Sequence, residues 1–268
     1  SSRIWWDHLL YGAPPPGLDV RLSLELRLQR IADQRLGAHP GAAVLMNAHS
    51  GEMLVMASHP TFDPNRLEEE GESLLKHELS PLVNRAALGA YPLGTMGAPF
   101  LSALEGTGER QVEALYDGLG FFTPPQIRME VAAASPGDVG ALRVSPVQMA
   151  AAASVLSAHG MRPTPRIALA VNTPQQGWVV LPALGQPVEA LPSASADQAA
   201  AAYLVEGQAF WEFISQARQG ETIITWYIGG TLPNWLGTPL AVAIVLEEDN
   251  IPLARQTGRD LLIAALTP

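Results

Sequence analysis

The segment from residue 41 to residue 58 constrains the fold more than any other part of the chain. It contains two short apolar runs, and a mainly polar segment at residues 47–52 joins them. This pattern predicts a β-hairpin, in which Gly51 supplies the turn position that tolerates a positive φ. The fold therefore includes an antiparallel sheet.

The remaining pattern of apolar residues predicts an α+β fold. Residues 19–36 are expected to form a short strand and then an amphipathic helix, because the apolar spacing changes from alternating to helical. Further helices are predicted at residues 111–119, 146–159, 198–217 and 252–266, and further strands at 163–171, 177–181, 222–228 and 240–246. This order of elements predicts that the first and last helices pack on the antiparallel sheet. The sheet is expected to carry a reduced helical subdomain.

The chain divides into a short arm and one domain. Residues 1–17 are predicted to be an N-terminal arm with a proline-rich linker, and residues 18–268 the domain, because three consecutive prolines cannot lie inside a helix. Trp5 and Trp6 are expected to pack against the main body, with insertion at a membrane interface as the alternative. The start of the chain shows no signal-peptide pattern, and no apolar run approaches the roughly 18 residues of a membrane span.

Charge and composition exclude several classes of function. The net charge is −10, whereas nucleic acids and anionic membrane surfaces require basic clusters. The chain has no cysteine, so disulfides and thiolate metal sites are excluded, and its six histidines lack metal-binding spacing. We therefore expect no nucleic-acid partner, no metal and no cofactor.

Residues 84–100 are the strongest candidate for a functional site. A turn that contains Pro92 and Gly94 is followed by Thr95 and then by an apolar run, which predicts a loop entering a buried helix. A hydroxyl at a helix N-terminus is well placed for a nucleophile, because the helix dipole favours developing negative charge there. The same position is also common for an ordinary N-cap, and the residues alone leave both interpretations open.

The same segment resembles the active-site entry of the penicillin-binding protein transpeptidases, N-R-A followed by Y-P-P-G-S-x-x-K-P-F. Four further segments resemble motifs of that family in the same order: the stretch around Leu28 and Gln29, and residues 43–65, 142–150 and 225–230. The resemblance implies a β-lactamase/transpeptidase-like fold and an extracytoplasmic protein whose membrane anchor is an upstream segment outside this chain. It also implies peptidoglycan or cell-wall synthesis proteins as partners.

The resemblance fails at the three catalytic motifs. Thr95 stands at the serine position and Ala98 at the lysine position, so the base of the first motif is missing. The second motif, S-x-N, is absent, and the segment that carries it in the family is predicted to be deleted. At the third motif, K-T-G, only Arg218 and Gly220 remain as candidate binding residues. These losses predict a pseudoenzyme with an interaction or structural role.

Two other interpretations remain open. The first is an active D,D-transpeptidase or carboxypeptidase that acylates through Thr95, or through Ser73 with Lys76, the only lysine in the chain. The second is a small-ligand binding domain that uses the remodelled cleft. The tripeptide at residues 256–258 resembles K-T-G but falls in the predicted terminal helix, where we expect a structural role.

Overall fold

The computed structural model describes residues 17–104, 106, 108–132 and 141–267. The predicted arm, including Trp5 and Trp6, lies outside the described residues except for Gly17. The helices are α1 (Leu26–Leu36), α2 (Leu67–Leu75), α3 (Arg85–Leu88), α4 (Ala98–Leu101), α5 (Glu109–Gly118), α6 (Pro146–Ser157), α7 (Ser193–Ala202) and α8 (Ile251–Leu266), with 3-10 turns at Pro64–Arg66 and Gly94–Gly97. The strands are β1 (Val20–Leu22), β2 (Gly41–Asn47), β3 (Met53–His59), β4 (Tyr91–Pro92), β5 (Arg143–Val144), β6 (Met161–Arg162), β7 (Ala168–Thr173), β8 (Gly177–Val180), β9 (Val188–Glu189), β10 (Phe210–Gln219), β11 (Thr222–Thr231) and β12 (Leu240–Leu246).

A five-stranded antiparallel sheet in the order β10-β11-β12-β2-β3 forms the centre of the molecule. The predicted hairpin is confirmed as β2 and β3, and Gly51 has a φ of +75° in their turn. A Cβ at Gly51 would lie only 2.0 Å from the Thr164 carbonyl oxygen, so the turn needs glycine for space as well as for its backbone angle.

Helices cover both faces of this sheet, which gives the predicted α+β architecture. Helices α1 and α8 pack against one face, where alternate residues of β2 and β12 form one core, and α6 packs against the other. Every residue of α6 is buried, and its run of alanines allows the sheet and α7 to approach closely. Because β2 and β12 are covered on both sides, both are continuously apolar instead of alternating.

One prediction about this sheet was wrong. Residues 198–217 were expected to be helical, but α7 ends at Ala202 and residues 210–219 form strand β10. The aromatic and β-branched residues at the start of β10 favour a strand, and the whole length of β10 pairs with β11. Tertiary pairing therefore overrides the helical pattern at the C-terminal half of the predicted helix.

The K-T-G-like tripeptide at residues 256–258 lies within α8, as predicted. Thr257 and Gly258 are both buried, and a Cβ at Gly258 would lie 2.0 Å from the ring of Tyr227. Gly258 therefore allows α8 to lie against the buried Tyr227 ring of the sheet, which is a structural role.

His59, at the end of β3, joins the sheet to α1. Its ring nitrogens lie 2.8 Å from the Gly37 carbonyl oxygen and 3.1 Å from an Asp33 carboxylate oxygen. The hydrogen bond to Asp33 raises the pKa of His59 above 6.5; burial opposes this shift, and the Gly37 carbonyl adds to it. The folded protein therefore favours the protonated ring.

We expect the His59→Gln substitution to lower the free energy of unfolding more at about pH 5.5 than at about pH 8.5. Because the folded-state pKa of His59 is raised, the stability that His59 contributes is fully present below pH 6.5. It is lost as the pH rises through the folded-state pKa. Urea unfolding of both proteins at the two pH values measures the difference. The Asp33→Asn variant is the control, and its pH dependence should be shallower than that of the wild type. An equal loss at both pH values would contradict the assignment.

Candidate functional site

The loop that carries Thr95 is held against the edge of the central sheet. Strand β4 pairs with β5, and the 3-10 turn Gly94–Gly97 follows and leads into α4. Gly94 has a φ of +54°, and a Cβ there would lie 2.8 Å from the Ala217 Cβ of β10. Glycine is required here because the turn packs directly on that strand.

The Thr95 hydroxyl faces β10. Its oxygen lies 2.5 Å from the Ser215 hydroxyl oxygen, and the Thr95 side chain is exposed. The expectation of an N-cap is wrong, because the 3-10 turn begins before Thr95 and the hydroxyl bonds to the neighbouring strand instead of to backbone N–H groups. Within the described part of the chain, no amine, imidazole or carboxylate forms a hydrogen bond with this hydroxyl. It therefore has no general base in contact.

Ala98 starts α4 one helical turn after Thr95, where a lysine amine would otherwise reach the hydroxyl. The Tyr116 hydroxyl of α5 packs against the same turn, so closely that a Cβ at Gly97 would lie 2.3 Å from it. Burial raises the pKa of Tyr116, so this phenol stays protonated at neutral pH. It is not a replacement for the missing amine.

The alternative pair, Ser73 and Lys76, is separated by its own hydrogen bonds. The Ser73 hydroxyl donates to the Glu70 carbonyl oxygen at 2.7 Å, and the Lys76 amine bonds to a Glu72 carboxylate oxygen at 2.6 Å. Both residues lie on the exposed surface at the end of α2. The structure therefore does not bring this hydroxyl and this amine together as nucleophile and base.

Arg218 and Gly220 lie at the far end of β10. Arg218 is exposed, and Gly220 forms the turn into β11 with a φ of +61°. Because alternate residues of a strand point to opposite faces, Arg218 points away from the face that carries Ser215. Ser215 is thus the residue that β10 presents to Thr95, and the sequence analysis missed it because it assigned this stretch to a helix. The available signal was the aromatic and β-branched residues at 210–214, which favour a strand.

A buried ion pair fixes the entry to this loop. Arg85, at the start of α3, is 5% exposed, and its guanidinium donates to both carboxylate oxygens of Glu247 and to the backbone carbonyls of Leu79 and Ser80. The Tyr91 hydroxyl donates to the same Glu247 carboxylate at 2.7 Å. Burial, and then the nearby Glu247 charge, raise the pKa of Tyr91, so its hydroxyl remains a donor.

Trp226 links the loop to the middle of the sheet. Its indole N–H donates to the Pro92 carbonyl oxygen at 3.0 Å, and its ring meets the Tyr91 ring edge-to-face with the centroids 5.9 Å apart. Trp226 is fully buried. Two segments that resemble family motifs, residues 84–100 and 225–230, therefore contact each other directly through this side chain.

Solved structures with the same fold are transpeptidase domains of penicillin-binding proteins. The imipenem acyl-enzyme complex of penicillin-binding protein A from M. tuberculosis aligns with a TM-score of 0.82 at 19% identity, covering 99% of this chain and 83% of that one. The D,D-transpeptidase domain of a peptidoglycan glycosyltransferase from Eggerthella lenta aligns with a TM-score of 0.77 at 16% identity, covering 97% and 86% of the two chains.

Sequence similarity is confined to part of the chain. Peptidoglycan D,D-transpeptidase MrdA of Acinetobacter baumannii is 37% identical over 97 residues, which is 34% of this chain and 14% of that protein. The probable peptidoglycan D,D-transpeptidase PbpC of Pseudomonas aeruginosa is 35% identical over 104 residues, or 36% and 17% of the two chains. No family model matches. The chain therefore has the fold of penicillin-binding protein transpeptidase domains, and about a third of its sequence is similar to peptidoglycan D,D-transpeptidases.

No helix in the described ranges is both long enough and apolar enough to cross a bilayer.

Proposed function

We propose that this domain is a catalytically inactive member of its class, which serves as an interaction module in peptidoglycan synthesis at the cell envelope. The single observation that carries the proposal is the environment of Thr95. Its hydroxyl contacts the neutral hydroxyl of Ser215, and Ala98 occupies the position from which an amine would take its proton. A neutral hydroxyl without a base lacks the roughly 10²–10⁴-fold increase in reaction rate that general-base catalysis contributes.

The retained scaffold supports an interaction role. The Arg85–Glu247–Tyr91 network and the Trp226 contact keep the loop around Thr95 packed on the sheet, although the loop carries no base. By the names of the related proteins, the partner is peptidoglycan or a cell-wall synthesis protein. An upstream segment outside this chain would hold the domain at the extracytoplasmic face of the membrane. Co-sedimentation of the purified domain with peptidoglycan sacculi tests the first of these partners.

Labelling with a fluorescent penicillin tests the loss of activity. We expect no covalent labelling of the wild type under conditions that label an active penicillin-binding transpeptidase stoichiometrically, because the acylation step lacks its base. The Thr95→Ser variant should also stay unlabelled, since it removes the crowding methyl group but supplies no amine. Denaturing gel fluorescence, with intact mass spectrometry for the adduct, gives the readout.

The controls separate this proposal from its rival, an active transpeptidase with an unusual nucleophile. Thr95→Ala and Ser73→Ala are compared with the wild type at the same penicillin concentration. Stoichiometric labelling that disappears in either variant would establish an active nucleophile at that residue and end the pseudoenzyme proposal.

A further inference from the structure

A cleft of about 350 Å³ lies away from Thr95, where the end of α5 meets strand β6. Its walls are the C-terminal end of α5, the loop at residues 123–126, residues 162–165 and the loop at residues 185–188. The cleft shares no residue with the Thr95 loop or with β10. We name it the Arg162 cleft, after its only basic side chain.

The guanidinium of Arg162 is held in place by the backbone. Its Nε donates to the Gly118 carbonyl oxygen at 2.7 Å. Gly120 has a φ of +79°, and a Cβ there would lie 2.6 Å from the Arg162 Nη1 atom, so the guanidinium packs directly against this glycine. The orientation is therefore fixed by hydrogen bonding and shape and does not depend on an acidic partner.

Arg162 has no direct ion-pair partner among the described residues. Within the described ranges, no carboxylate lies within 4.0 Å of its nitrogen atoms, and its two Nη groups make no hydrogen bond to protein. Burial lowers the pKa of the Arg162 guanidinium, and the nearby charge of Asp117 only partly opposes this shift. A half-buried cation with unused N–H groups in a cleft is a binding-site candidate, because an anion would restore the lost solvation.

Two more arginines lie next to the Arg162 cleft. Arg128 and Arg166 line an adjoining small cleft that shares Gln126 and Pro165 with the first. Arg128 donates to the Pro182 carbonyl oxygen, and the Arg166 Nε atom is buried without a hydrogen-bond partner. Among the described residues, neither arginine forms an ion pair. Such a concentration of unpaired cations is notable on a chain of net charge −10.

We propose that the Arg162 cleft binds an anionic ligand through a carboxylate or phosphate group. Arg162 supplies the principal charge-assisted hydrogen bonds, and the hydroxyl of Thr164 in the cleft wall supplies a further donor. The planar fork of two Nη groups suits either oxyanion. Asp117 lies at the rim and disfavours a second negative group on that side, so an extended ligand would continue toward Arg128 and Arg166.

Isothermal titration of the full chain with glutarate and with inorganic phosphate, at low ionic strength, tests the proposal. We expect saturable binding of at least one of them, and the preferred anion distinguishes a carboxylate from a phosphate site. The Arg162→Gln substitution should weaken binding at least about tenfold, because it removes the charged hydrogen bonds. Arg30→Gln, which removes an exposed arginine on α1, should leave the affinity unchanged.

Two rim variants keep the test valid if Arg162→Gln fails to fold. Asp117 and Gln186 are both exposed, so neither substitution disturbs packing. Asp117→Asn should tighten anion binding, whereas Gln186→Glu should weaken it, each by roughly a few-fold at low salt. Absence of saturable binding by the wild type, or equal effects of both rim variants, would overturn the proposal. Neither result bears on the penicillin-labelling test, because the two sites share no residues.

Discussion

Replacement of Arg85 by methionine is expected to lower the free energy of unfolding by about 3 kcal/mol. The side chain is buried and satisfies Glu247 and two backbone carbonyls at once. Methionine preserves much of the volume but leaves these acceptors without their donor. Because the Glu247 side chain is 28% exposed, water offsets part of the cost, and we place the loss at the low end of the range for a broken buried pair. Urea denaturation at neutral pH measures it.

The control is the double variant Arg85→Met with Glu247→Gln. Neutralising the carboxylate removes the unpaired charge, so the double variant should be more stable than Arg85→Met alone. The Tyr91 hydroxyl can still donate to the glutamine carbonyl oxygen. The single variant Glu247→Gln is measured as well. If the double variant lost as much unfolding free energy as the two single variants lose in sum, Arg85 would act by packing alone and the ion-pair account would be wrong.

Replacement of Trp226 by alanine is expected to cost about 3–5 kcal/mol of unfolding free energy. The side chain is fully buried, so its removal leaves a large cavity between the sheet and the Thr95 loop. It also deletes the edge-to-face contact with Tyr91 and the hydrogen bond to the Pro92 carbonyl. Thermal and urea unfolding should both report the loss.

The Trp226→Phe variant separates the ring from the N–H group. It retains an aromatic ring beside Tyr91 but leaves the Pro92 carbonyl unpaired, so we expect a smaller loss of about 1–3 kcal/mol. Hydrogen exchange should be faster at residues 93–97 in both variants, since Pro92 anchors the turn that follows. Unchanged exchange there in Trp226→Ala would mean that Trp226 stabilises the sheet without positioning the loop.

Much of the architecture could be predicted because the decisive signals are local. The hairpin around Gly51 combines apolar runs with a turn residue, and α6 follows the capping residue Ser145 and begins at Pro146, a favoured first helical residue. Strand β10 could not be assigned in this way. Its pattern is ambiguous over a short window, and the pairing with β11 that makes it a strand is visible only in the folded protein.

The site was predicted only in part for the same reason. Thr95 and Ala98 are identified by their spacing within one segment, and the structure places Thr95 in the 3-10 turn that leads into α4 and Ala98 at the first position of α4. The partner of Thr95 comes from β10, which is 120 residues away in sequence. Arg162 gave no signal at all, because its significance depends on a cleft formed by four separate segments and on the lack of an ion-pair partner among the described residues, and both are visible only in the folded protein.

The packing of the Gly94–Gly97 turn on β10 has a consequence for solubility. Strand β10 ends the sheet, and an open strand edge invites pairing with another molecule. Its first residues are covered by backbone bonds to residues 203–205, and the Thr95 turn packs beside Ser215 and Ala217 further along. A loop that shields a strand from intermolecular β-pairing would be retained by selection against aggregation, independently of any chemistry at Thr95.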